Sequence, residues 1–283
     1  MQNIVTTDEQ IRAVIPNIQI AVEGQVKWTD RLSSFLDEAV SWLETMVSPV
    51  RIIEKAGLLD QAAAIVIWRA WARAVHSLDI VATPNGFAVV SNQNLAPASQ
   101  ARSEAARENA VRQADGHACS LLDRLRNVPD WTVTRQAKRF HTLFPDPREL
   151  QYQLSEDMPP FGLYARRSAE LIMNESILGA NTLSSRGLKE LRRIASSILI
   201  SGCDGVAADD LEILDLARSA VIVMLCSDPC DRITLRKICD RIRMTMDQSD
   251  DSSVAALWKT SSLYRAFKMK PYENKKDSGG YFF

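Results

Sequence analysis

The segment AAAIVIWRAWARAV, residues 62–75, constrains the fold more than any other part of the chain. It sits in a stretch from Asp60 to about Ser77 that is apolar nearly all round and rich in alanine. A helix with one wet face carries a polar stripe, so this pattern predicts a helix enclosed by neighbours. Other helices must then offer it apolar faces. Thr29 to Val47 offers one: Leu32, Phe35, Leu36, Ala39, Val40, Leu43 and Val47 recur at three- and four-residue steps, and the helix ends at Ser48-Pro49. Trp68 and Trp71 read as core or interface anchors rather than a ligand box.

Helical signals continue on both sides. Thr7-Asp8-Glu9-Gln10 has the form of a capping box and predicts a short helix that stops before Pro16. Pro97 and Ser99 open a long Ala-, Arg- and Glu-rich helix toward Arg126, expected to pack closely through alanine or to project. Asn127 to Asp130, with Pro129, is a break. Pro147 to Leu154 reads as a short helix, Met158-Pro159-Pro160 ends it, and further helices are expected over 164–178, 185–200, 209–227, 231–246 and 252–268. Asp209-Asp210-Leu211-Glu212 resembles another capping start.

Between two of these helices the pattern changes. Residues 79–99, DIVATPNGFAVVSNQNLAPAS, place the strand-like runs Ile80–Ala82 and Phe87–Val90 around Pro84-Asn85-Gly86. A two-residue turn would set Pro84 where a ladder amide is needed, so the expected turn is type I at Pro84 and Asn85, with Gly86 as a left-handed bulge. An isolated hairpin is marginal in water and must dock on something. The fold class expected is therefore mainly α: a multi-helix bundle with one inserted β-hairpin at about 79–91. The order of elements also suggests two related helical halves, pairing Asp8–Ile15 with Pro147–Leu154, 29–47 with 164–178 and 60–77 with 209–227. The expected domains are 1–128 with the hairpin, 129–270, and a flexible tail over 271–283.

The chain carries 34 basic and 35 acidic residues, so no global field points to nucleic acid or anionic lipid. Basic residues do line two helices, at Arg186, Lys189, Arg192 and Arg193 and at Arg232, Arg236, Lys237, Arg241 and Arg243. Such runs read as phosphate contacts or as solvated faces paired with acids such as Asp231 and Asp240. Five scattered cysteines fit buried thiols in a reducing compartment, and Cys226, Cys230 and Cys239 match no usual zinc spacing. His76, His117 and His141 stand apart, and there is no phosphate loop or nucleophile elbow. Ser201–Gly205 reads as an interhelical turn. No run approaches the roughly 18 apolar residues of a spanning helix and no basic, then apolar, leader opens the chain, so a cytoplasmic start without membrane contact is expected.

The stretch LDIVATPNGFAVVSNQNLAPASQAR resembles a family of uncharacterised proteins from phages and prophages of Bacteroidetes. The shared pattern is TP-x-GF-x-VVSN-x-N-x-APAS, here Thr83, Pro84, Gly86, Phe87, Val89, Val90, Ser91, Asn92, Asn94, Ala96, Pro97, Ala98 and Ser99. The element order over 1 to about 127 also resembles head-to-tail connector (adaptor or neck) proteins of tailed phages. That resemblance implies a virion structural protein, a ring-forming subunit without catalysis or cofactor. It is made in the host cytoplasm and ends in the particle. Its partners would be further copies of itself, the portal and tail proteins, and DNA passing through the channel. The contacts expected are Pro84, Asn85, Gly86, Phe87, Asn92 and Asn94, together with Tyr281, Phe282 and Phe283, whose rings would anchor in a partner's groove. The rival expectation is a helical nucleic-acid-binding or regulatory protein using helices 185–200 and 231–246. A helical enzyme is third.

Overall fold

The computed structural model describes residues 4–5, 7–15, 18, 26–78, 80–83, 86–89, 99–226 and 232–269, with backbone alone described at 80–83 and 86–89. The chain divides into two compact units, Met1–Ser168 and Ala169–Phe283.

The first unit contains α1 (Asp8–Val14), α2 (Trp28–Arg31), α3 (Ser33–Met46), α4 (Val50–Lys55), α5 (Leu59–Ala74), α6 (Gln100–Leu125), α7 (Pro129–Thr132), α8 (Arg135–Arg139), α9 (Pro147–Leu154) and the start of α10 (Pro160–Leu178). The capping box at Thr7 is present: Gln10 N donates to Thr7 Oγ1 and Thr7 N donates to Gln10 Oε1. The enclosed segment is α5, which packs against α3 and α6. Its Ala62, Ile65, Val66, Ile67 and Ala70 are buried, as are Leu36, Ala39, Val40 and Leu43 of α3 and Ala110, Ala114 and Ala118 of α6. The alanines of α6 leave room for close approach, which explains why a helix so poor in large apolar residues in its first half still belongs to the core. The expected helix 29–47 is interrupted at Leu32, where the backbone leaves helical geometry between α2 and α3.

The first unit reaches beyond the break at 127–130. Helix α3 ends with carbonyls that lack intrahelical donors. Side chains from α7 and α8 supply them: Trp131 Nε1 donates to Val47 O at 2.9 Å, Gln136 Nε2 to Glu44 O at 2.6 Å, and Arg139 Nη1 to Thr45 O at 3.2 Å. Asp115 of α6 accepts from the amides of Phe161 at 2.6 Å and Gly162 at 3.0 Å, and so caps α10. The break after Leu125 ends α6 without ending the core, and Pro129 opens α7. The division therefore falls after Ser168 rather than near 128, and α9 with the start of α10 belongs to the first unit. The two units accordingly do not repeat the order of short and long helices that suggested related halves.

The expected fold class is corrected to all-α. Helices build both cores among the described residues. The extended pairing among the described residues is the backbone of Ile80–Thr83 (β1) against Gly86–Val89 (β2), with Ile80 opposite Val89 and Thr83 opposite Gly86. Two runs of four residues make no sheet layer able to cover a core, so the expected hairpin is not a component of the architecture. The bulged turn is corrected too: Gly86 is paired with Thr83 inside the ladder, whereas a bulge residue is left unpaired.

In the second unit, α10 runs into a π-helical turn at Gly179–Leu183, followed by α11 (Ser185–Ser201), α12 (Ala208–Cys226), α13 (Arg232–Gln248), α14 (Ser253–Lys259) and α15 (Ser262–Lys268). Its core gathers Leu188, Leu191 and Ile194 with Ile213, Ala217 and Val221, and with Ile242, Met246, Val254 and Trp258. Ser201–Gly205 is the expected turn, with Gly202 and Gly205 at positive φ of 75° and 79°. Asp210 turns away from its own helix start: its carboxylate accepts from the amides of Ser253 and Val254 and the Ser253 hydroxyl at 3.0–3.2 Å, and so caps α14. The expected helix 252–268 is two helices. Ser261 accepts from Tyr264 N at 3.3 Å to start α15, and the break lets Tyr264 and Phe267 pack on Trp258 at 5.0 and 5.5 Å between ring centroids.

Candidate functional site

Of the contact residues expected from the sequence, Pro84, Asn85, Asn92, Asn94, Tyr281, Phe282 and Phe283 lie outside the described residues. Gly86 and Phe87 lie on β2, where the backbone alone is described. The expected contact set therefore lies outside the described side chains. Among the described residues, each unit presents a cleft.

The first-unit cleft has a volume of about 270 Å³ and lies between the end of α3, the end of α8 and the start of α10. Its floor is aromatic. Phe140 stacks on Tyr164 at 5.2 Å and lies 5.7 Å from Phe161, while Trp131 and Trp42 extend the cluster outward at 6.4 Å from Phe140 and 5.4 Å from Phe161. Met46, Arg139, Ala165 and Ser168 complete the lining. The Tyr164 hydroxyl is already committed: it donates to Arg139 O at 2.9 Å, so the Thr142 hydroxyl, also at 2.9 Å, donates to it and in turn accepts from Phe144 N. This chain fixes the ring of Tyr164 as a rigid wall. The Arg139 guanidinium is held at Thr45 O and 3.1 Å from the Met46 sulfur, and brings a positive charge to the site.

The volume decides what such a cleft can hold. Ligand and cofactor sites usually run from about 300 to 1,000 Å³. A cavity of about 150 Å³ accepts a benzene ring. The first-unit cleft thus suits one aromatic side chain with space around it, and its ring edges, thioether and guanidinium are groups that attract a further ring.

The second-unit cleft, about 460 Å³, is lined by Gly179 and Ala180 of the π-helical turn, by the polar runs 184–186 and 260–262, and by Leu257 and Leu263. Ser184 there holds φ 69° and ψ 157°, a conformation that only glycine adopts without strain, while its Oγ accepts from Gly187 N at 3.1 Å to cap α11. Gly179 packs so closely on α11 that a Cβ would meet Leu188 Cδ2 at 2.8 Å.

Several residues of the basic stripes are ion-paired within the unit that carries them. Arg192 pairs with fully buried Glu175 at 2.7 Å, Arg193 with Glu190 at 2.7 Å, Arg241 with Glu212 at 2.7 Å, and Arg243 with Asp240 at 2.9 Å. Contact with phosphates would compete with these pairs, which is the solvated-face alternative weighed for both helices. His76 lies 3.0 Å from Glu104, whose carboxyl is lowered first by its bond to Arg107 and then, against burial, by His76. Among the described residues no three His, Cys, Asp or Glu side chains gather as a metal site. Cys119 is buried, Cys203 and Cys226 are exposed, and Cys230 lies outside the described residues. No helix among the described residues is long and apolar enough to cross a membrane.

Sequence reasoning missed the first-unit cleft because its lining comes from three separate segments. The available signal was the run of aromatics from Trp131 through Phe140 and Phe144 to Phe161 and Tyr164, dense for a chain with 7% aromatic residues.

Residues 27–141 match a family described as a family of unknown function (DUF6712). No curated protein and no solved structure matches the chain.

Proposed function

We propose that the chain is a virion structural protein, a ring-forming head-to-tail connector (adaptor or neck) subunit of a tailed phage or prophage, acting by assembly rather than catalysis. The observation that carries this reading is the pattern from Thr83 to Ser99, which resembles that of the phage family and lies inside the matched segment 27–141, between α5 and α6. Two structural features support it. The first unit offers a preformed aromatic cleft large enough for a side chain of another protein. The α10 helix leaves Ile172, Met173 and Ile177 exposed, and apolar side chains grouped on one element mark surfaces that meet other proteins.

The test is mass photometry of the purified full chain, followed by co-sedimentation with the portal protein of the same phage. A discrete closed oligomer that binds the portal is expected, with little response to added DNA. A monomer at every accessible concentration, or DNA affinity that falls steeply with salt, would overturn the reading in favour of a nucleic-acid-binding protein.

A further inference from the structure

We propose that the first-unit cleft is the socket for the aromatic segment Tyr281-Phe282-Phe283 of a second copy of the chain. The inference rests on the ring-forming reading and names the contact through which such a ring would form. The socket side follows from chemistry already described. Phe140, Phe161 and Tyr164 form a ring-lined floor whose one hydroxyl is saturated, so the site offers apolar and quadrupole contacts rather than free hydrogen-bond donors from the floor. Ala165 is the small residue in the wall, and its short side chain leaves the space open. Met46 and Arg139 add a thioether and a cation, the two non-aromatic groups that bind ring faces and edges most readily. At about 270 Å³ the space is ample for one ring.

The occupant follows from the chain itself. Helix α15 ends at Lys268, and Met269, its C-cap, is extended and 78% exposed. The residues from 270 to 280, KPYENKKDSGG, carry one aromatic, and three aromatics follow consecutively at 281–283. The twelve residues from 270 to 281 can span up to about 40 Å, enough to reach a neighbouring subunit. Three adjacent rings on a polar leash are a poor core element and a good anchor, because aromatic side chains supply much of the energy of small interfaces. A socket on one surface and a plug on another make a heterologous contact, and contacts of that type close into rings when the rotation per subunit allows.

The experiment uses the full chain in four forms: the parent, Ala165→Phe to fill the socket, Ser168→Trp to cover it from the rim, and a tail variant with Tyr281→Ala, Phe282→Ala and Phe283→Ala. Ser168 is only half buried and bonds locally to Ala165 O, so its variant tests the site even where Ala165→Phe unfolds the unit. Circular dichroism melts establish that each form is folded, and analytical ultracentrifugation reads assembly. The parent is expected to oligomerise and each variant to do so at least tenfold more weakly. A mixture of a filled-socket variant with the tail variant should form a one-to-one dimer, because the first retains a plug and the second a socket. An oligomeric parent whose socket and tail variants assemble normally would overturn this inference and leave the ring reading standing. Loss of assembly in the socket variants but not in the tail variant would assign the socket to another occupant and overturn it as well. A parent that stays monomeric, with no dimer in the mixture, would overturn both.

Discussion

Ser184 offers the sharpest test of how the second unit is built, because its backbone and side chain pull the energy in opposite directions. Its φ of 69° with ψ of 157° lies in a region costing about 1–3 kcal/mol for a residue with a Cβ. Its Oγ meanwhile caps α11 through Gly187 N, and losing such a cap to alanine costs about 1 kcal/mol. Ser184→Gly removes the strain. It loses only a few tenths of a kcal/mol of capping, since glycine is itself a good N-cap, and about 0.5–1 kcal/mol through the freer unfolded chain. The net expectation is stabilisation by about 1 kcal/mol. Ser184→Ala keeps the strain and loses the cap, so it should destabilise by about 1 kcal/mol, and the two variants should differ by about 2 kcal/mol. Urea denaturation followed by far-ultraviolet circular dichroism reads the difference as a shift in midpoint at constant slope, and hydrogen exchange assigns it to the amides of α11. A glycine variant as unstable as the alanine variant would refute the strain argument. It would show that the serine side chain holds the π-helical turn in some way other than as a cap.

Burial raises the Asp115 carboxyl to about 6, against the opposing pull of the Phe161 and Gly162 amides and of Arg69. The folded value lies above the ordinary 3.8, so the stability from protonation is fully present below about pH 4 and lost as the pH rises through about 6. The loss amounts to about 3 kcal/mol at ~1.4 kcal/mol per unit. Asp115→Asn, which cannot titrate, should lack that component, and denaturation of parent and variant at acid and neutral pH checks it; parallel pH profiles would count against the assignment. Burial, with Asp115 nearby, pushes the Cys119 thiol up to about 12, whereas Cys203 and Cys226 are exposed. Maleimide labelling of the native protein followed by peptide mapping should therefore find Cys203 and Cys226 modified and Cys119 modified only after denaturation. Rapid native labelling of Cys119 would mean that the α5–α6 packing opens readily.

The sequence by itself determined the helices and which of their faces are buried. The spacing from Leu32 to Val47 placed Leu36, Ala39, Val40 and Leu43 in the core, the all-round apolar character of 60–77 predicted the enclosed α5, and Thr7 with Gln10 announced its capping box. These features are legible because hydrophobic period and capping act within a few residues of one another. The strand-like runs at 80–83 and 86–89 were legible as extended backbone as well, but their weight in the fold was not, since a ladder of two short strands depends on what surrounds it. Tertiary structure alone decided where the first unit ends. The chain breaks its helix between Leu125 and Pro129, but the carbonyls of Glu44, Thr45 and Val47 need donors, and Gln136, Arg139 and Trp131 reach back across the break to provide them. It likewise turned Asp115 and Asp210 into caps for helices 46 and 43 residues further along, and assembled an aromatic cleft from α3, α8 and α10. Each of these depends on satisfying a buried polar group or filling a space between distant segments. The partner that does so is set by the packing of the whole unit, which no local pattern of residues specifies.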